Sequence, residues 1–133
     1  MKAVTLTQPW ASAIALGHKR IETRSWGPHY RGPIAIHAAT ALPLYARRFA
    51  ETERALGRCP ARLPLGAIVA TAELVDVLPT QEALARGLVS ALERLYGDFS
   101  AGRFAWFLAN VTALAIPVPA RGSLSLWNWE VPR

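Results

Sequence analysis

Two runs rich in β-branched and apolar residues, 66–78 and 104–118, constrain the fold of this chain more than anything else in it. Each reads as one long strand. The second is limited at its end by Pro117 and Pro119, because proline cannot donate to a ladder. Long strands twist, and a small twisted sheet hides its edges by curling on itself. Shorter strand patterns fall at 2–7, 20–26, 33–38 and 124–131.

Three helices fit between them. The first opens at Gln8-Pro9, since proline is tolerated where a helix begins, and places Trp10 and Ile14 on one face before Gly17 stops it. The second covers 43–56, with Tyr45, Phe49, Thr52 and Leu56 facing the core and Arg47, Glu51, Arg54 and Arg58 on the opposite side. The third starts at a Thr80 cap, buries a stripe of Leu84, Leu88, Leu92 and Leu95, and ends at Gly97. The order β-α-β-β-α-β-α-β-β is too irregular for a doubly wound sheet. It predicts an α+β fold: a small mixed β-barrel with helices packed on the outside, a single domain over 1–133.

Composition narrows the function classes. Hydrophobic residues at 52% and charged residues at 18% exclude intrinsic disorder. The single cysteine, Cys59, excludes a disulfide framework and a Cys-based zinc site. His18, His29 and His37 have no spacing that suggests a metal site, so neither metal nor cofactor is expected. No apolar run reaches the roughly 18 residues that cross a bilayer. The N-terminal alternation is strand-like rather than a signal peptide, which predicts a soluble cytoplasmic protein.

The net charge of +6 is uneven. Residues 1–62 carry ten Lys/Arg against three acids, and residues 63–133 carry five Arg against six acids. Such asymmetry suits a surface that meets phosphate. An Arg-rich proteome would give the same total. The Arg47/Arg54/Arg58 helix face has the same two readings, a phosphate track or a solvated face.

The densest chemical candidate is Gly17-His18-Lys19-Arg20-Ile21-Glu22-Thr23-Arg24-Ser25-Trp26. Strand alternation puts Arg20, Glu22 and Arg24 on one face and Ile21 and Thr23 on the other. With Lys19 at the turn, one segment supplies an ammonium, a carboxylate and a guanidinium around one mouth. The plain alternative is a surface Glu22–Arg24 ion pair.

Taken with its flanks, the segment resembles the activating signal cointegrator homology (ASCH) family, a PUA-like group. The resemblance rests on Gln8-Pro9-Trp10-Ala11, on Gly17-x-Lys19-x-x-Glu22-x-Arg24-x-Trp26, and on Tyr30-Arg31-Gly32 ahead of Ile34-x-Ile36-His37-Ala38. Leu65-Gly66-Ala67-Ile68-Val69-Ala70 leading to Glu73, and Leu126-Trp127-Asn128-Trp129, extend it over nearly the whole chain.

The resemblance implies a barrel whose cleft is lined by Lys19, Glu22 and Arg24 and takes RNA or a modified nucleoside. Some relatives look like amidohydrolases acting on N4-acetylcytidine, and ribonuclease activity is suggested for others. In the amidohydrolase pattern the lysine falls on Lys19 and a later glutamate on Glu73, but Glu22 stands where a threonine nucleophile is expected. A carboxylate can activate water but does not replace a hydroxyl that forms an acyl intermediate. The candidate catalytic set is therefore Lys19, Glu22 and Glu73. A protein-interaction module in transcription or translation is a third reading.

For binding, Lys19, Arg24 and Arg31 would meet phosphates or a base edge, and Glu22 would accept from an exocyclic amine. Trp10 and Trp26 flank the motif as candidate stacking platforms. Trp106, in an apolar run, reads as packing. Trp127 and Trp129 share one strand face, with Asn128 on the other.

Overall fold

The computed structural model describes residues 1–132. Its elements are β1 (Lys2–Leu6), α1 (Trp10–Ala15), β2 (Ile21–Arg24), β3 (Gly32–Ala38), α2 (Leu44–Ala55), β4 (Ala67–Pro79), α3 (Thr80–Ala85), α4 (Ala91–Tyr96), β5 (Phe104–Pro119) and β6 (Trp127–Asn128). The six strands form one mixed sheet in the order β2-β5-β4-β3-β1-β6. Among the described residues only β1 and β3 run parallel.

The two long strands expected from the sequence pair with each other, antiparallel. Their register shifts at three places, including four residues of β5 accommodated opposite the single Val69. Such bulges bend a strand and increase its twist. The fold class is α+β as expected, but the sheet is open. Its order ends at β2 and β6, and no ladder joins these two among the described residues. Of the expected final strand 124–131, Trp127–Asn128 forms the ladder with Lys2 and Ala3, and beside it the Trp129 N–H donates to the Met1 carbonyl while the Met1 ammonium donates back to the Trp129 carbonyl.

The core lies on the face that α1 covers. Val4, Leu6, Ile34, Ile36, Leu74 and Trp106 pack there with Ala11 and Ile14 of α1. Trp106 is fully buried, as expected of its apolar run. Its indole N–H donates to the Trp26 carbonyl.

Two helices differ from the sequence reading. α2 buries Ala46, Ala50 and Glu53, while Tyr45, Thr52 and Leu56 are exposed. Its small side chains, not its aromatic ring, let it approach the body of the protein. Glu53 tolerates burial because Arg58 grips both of its oxygens and the Tyr96 hydroxyl donates to it. The Arg58 guanidinium holds the Glu53 carboxyl below its ordinary range, while burial, followed by the Glu53 bond, pushes the Tyr96 phenol up to about 12.

The single helix expected over 80–97 is two. Gly87, at φ +68°, ends α3, and the Ser90 hydroxyl caps α4 by accepting from the Glu93 N–H. Leu88 and Leu95 are therefore exposed. Thr80 is no cap: it is buried inside the first turn of α3, and its hydroxyl bonds the Ser100 carbonyl. Among the described residues, no helix is long and apolar enough to cross a membrane.

Candidate functional site

The opening of the sheet is also where the motif sits. β2, at one end of the strand order, leans toward β1 near the other end. Arg24 spans the gap, its Nη2 donating to the Thr5 carbonyl at 2.7 Å while its Nε donates to Glu22 Oε2 at 2.9 Å. The same guanidinium lies 6.0 Å from the Trp106 ring. Arg24 Nη1 has no partner among the described residues.

Glu22 is held from three sides. Its Oε1 accepts from the Thr23 N–H at 3.1 Å and lies 3.3 Å from Lys19 Nζ, while Oε2 carries Arg24. Lys19 is 1% exposed and donates to the Ile21 carbonyl at 2.6 Å. The ammonium thus lies beneath the carboxylate instead of at the mouth. Hydrogen-bonded to the Ile21 carbonyl and ion-paired with Glu22, the ammonium anchors the start of β2.

Above Glu22 and Arg24 opens a cavity of about 580 Å³. Trp10 and Tyr45 form its aromatic wall. Trp10 is stacked on Phe49 with ring centroids 5.1 Å apart, and Tyr45 tilts over Trp10 at 6.1 Å. Thr23, Tyr96, Gly97, Asp98 and Arg103 also line it. Arg103 is fixed by donating to the Asp98 and Thr23 carbonyls. The ionised lining groups balance, Arg24 and Arg103 against Glu22 and Asp98.

The motif therefore brings Glu22, Arg24 and Trp10 to one cavity but not every residue the sequence proposed for it. Trp26 packs edge-on against Trp106 at 4.8 Å and does not line the cavity. Arg31 is exposed on its loop, bonded to the Pro28 and Tyr30 carbonyls. Glu73 is exposed on β4, where Asn110 Nδ2 donates to it at 3.2 Å. It alternates with the buried Ala72 and Leu74, so it points away from the core face and lies outside the cavity lining. Trp129 is buried against Ala3, Ala35 and Ile68, and Trp127 donates to the Thr5 hydroxyl. Among the described residues no group of His, Cys, Asp and Glu is arranged to hold a metal ion.

Comparison with known proteins now decides the family. The profile of the ASCH domain matches residues 4–117. The chain belongs to the ASCH domain family. It is 27% identical to human activating signal cointegrator 1 over 137 aligned residues, covering 96% of this chain and 22% of that protein. The mouse cointegrator gives 26% identity with the same coverage. The chain thus spans about a fifth of the length of these curated relatives. Among solved structures, the ASCH protein of Zymomonas mobilis superposes with a TM-score of 0.54 at 17% identity, over 89% of this chain and 72% of that one. At that identity the likeness speaks to the ASCH fold alone.

Several cavity residues of this ASCH domain carry no motif in the sequence. Tyr45 reads there as core, and Tyr96, Asp98 and Arg103 come from a segment 70–80 residues beyond the motif. The one available signal for Arg103 is its position just before the long strand that pairs with β2, where Arg24 faces Phe104. Elsewhere in the domain, Glu93 ties α4 to the motif by accepting from the Arg20 and Ile21 N–H groups. Burial pushes its carboxyl up, and the Arg20 N–H and nearby Lys19 oppose that rise.

Proposed function

We propose that this ASCH domain binds RNA, holding one base or modified nucleoside in the cavity above Glu22 and Arg24. The observation that carries the reading is the pairing of an aromatic wall with a fixed acceptor–donor edge across an opening of about 580 Å³. That volume suits a small ligand. Rings such as Tyr45 and Trp10 offer stacking surface to a planar heterocycle. Glu22 presents acceptor lone pairs and Arg24 the free Nη1 donors, the complementary pair a base edge requires. A balanced lining favours an uncharged polar ring over a bare phosphate.

The test is affinity for nucleosides and short single-stranded RNA by calorimetry. Tyr45 is 64% exposed, so Tyr45→Ala removes stacking surface without opening the core. Stacking worth about 1–3 kcal/mol predicts an affinity loss of about 5- to 150-fold. Unchanged affinity in Tyr45→Ala and in Arg24→Gln, with both variants folded, would overturn the reading.

Hydrolysis in the same cavity is the competing proposal, with Glu22, the motif's lining carboxylate, activating water. Conversion of N4-acetylcytidine to cytidine and acetate, abolished in Glu22→Gln, would favour it over binding alone.

A further inference from the structure

The cationic excess of the chain lies beside the cavity rather than in it. The charged groups of the lining cancel, and Lys19 is sealed beneath Glu22. The excess gathers instead on α2 and the loop after it, through Arg47, Arg48, Arg54, Arg58 and Arg62. Of these, Arg58 is consumed by the buried Glu53, and Arg54 donates through its Nε to the Pro60 carbonyl. Arg47 uses its Nε on the Leu42 carbonyl. Arg48 is exposed, and its guanidinium has neither a carboxylate nor a carbonyl partner among the described residues. The acid of the same exposed helix surface is Glu51, which leaves the patch strongly positive.

Position singles out Arg48. On a helix, residues three apart are surface neighbours, so Arg48 stands one turn beyond Tyr45, the rim residue of the aromatic wall. Arg47 and Arg54 lie on the flank away from Tyr45. A ligand that stacks on Tyr45 therefore reaches Arg48 as soon as it carries a group beyond its ring and sugar.

We infer that the ligand of this cavity is a phosphate-bearing strand rather than a free nucleoside, with Arg48 taking the phosphate of the bound nucleotide. This rests on the cavity reading above and adds division of labour: a neutral cavity selects the base, and the exposed arginines of α2 supply the salt-dependent part of the affinity. A guanidinium matches a phosphate with two parallel N–H donors, and its exposure means that little packing is lost when it moves to do so.

The experiment compares three probes by calorimetry at about 50 to 200 mM salt: nucleosides, the corresponding nucleoside monophosphates, and single-stranded RNA of about eight nucleotides. Nucleoside binding is expected to be nearly insensitive to salt. The monophosphates and the RNA bind more tightly, and in the RNA each phosphate contact steepens the fall of log affinity with log salt by about 0.7. Arg48→Ala lowers that slope by about this amount and erases the advantage of monophosphate over nucleoside, while nucleoside affinity is unchanged. Arg86→Ala, just past the end of α3 and paired to Glu82, changes neither quantity. Phosphate-bearing probes that bind no better than nucleosides, or an Arg48→Ala slope equal to the parent's, would overturn this inference and leave the cavity reading standing. Failure of every probe to bind would overturn both.

Discussion

Arg24→Ala is the perturbation with the widest consequences, because one side chain both forms the cavity edge and straps the open sheet. Its removal deletes the 2.7 Å bond to the Thr5 carbonyl, which is the side-chain link from β2 to β1, and the 2.9 Å bond to Glu22. A hydrogen bond involving a charged group contributes about 1.5–3 kcal/mol when buried. The Arg24 side chain is 26% exposed, so water screens part of this. Glu22 also keeps Lys19 and the Thr23 N–H after the change. A net loss of about 2 kcal/mol is expected from the two bonds together. For a chain of 133 residues that is a fall in Tm of about 7 °C. Thermal unfolding by calorimetry measures it, and a cycle with Glu22→Gln separates the ion pair from the strap: a pair coupling of about 1 kcal/mol or less leaves the larger share on Thr5. A variant melting within 1 °C of the parent, on the same scale of about 3–4 °C per kcal/mol, would refute the idea that Arg24 holds the two ends of the sheet together.

Three further outcomes follow from the packing around this site. Tyr96→Phe deletes the hydroxyl that donates to buried Glu53 while Arg58 keeps its grip, and costs about 1–2 kcal/mol in urea unfolding. Glu93 has a folded-state pKa raised chiefly by burial, so its contribution is favourable below the ordinary carboxylate range and declines as pH rises through the folded value; Glu93→Gln removes that decline, seen as a flatter stability profile above the ordinary carboxylate range. Glu53 runs oppositely: its depressed value makes its contribution full above the ordinary range and lost as pH falls through the folded value, so acid unfolding of Glu93→Gln persists. Gly122→Ala places a methyl 2.7 Å from His37 Cε1 and 2.8 Å from Thr5 Oγ1, and disturbs the chain in which Trp127 donates to Thr5, which in turn bonds His37; a loss of about 1–3 kcal/mol is expected by thermal melt.

The strands were legible because their patterns are local. The long pair, 66–78 and 104–118, and the alternation of Ile34 and Ile36 against His37 survive in the structure nearly residue for residue. Closure was not legible, because local patterns do not encode whether the strands at the two ends of the sheet, β2 and β6, meet. The face of α2 was misread for a physical reason. Size-weighted hydrophobicity favours Tyr45 and Phe49, whereas close approach favours Ala46 and Ala50, and the burial of Glu53 depends on Tyr96, which is 43 residues away. Strand alternation puts Glu22 and Arg24 on one face, and both line the same cavity. Whether Lys19 faced the opening or the interior turned on two contacts, the Ile21 carbonyl and Glu22, that strand alternation does not encode. Asp98 and Arg103 were invisible for the same reason as Tyr96: they reach the cavity only through tertiary packing.

The central claim is that a base occupies the cavity between the Trp10–Tyr45 wall and the Glu22–Arg24 edge. A crystal structure of the domain with a short single-stranded RNA tests it most directly. The expected result is one base stacked against Tyr45 or Trp10, its polar edge on Glu22 and Arg24. RNA bound with full occupancy on another face, the cavity left to solvent, would contradict it.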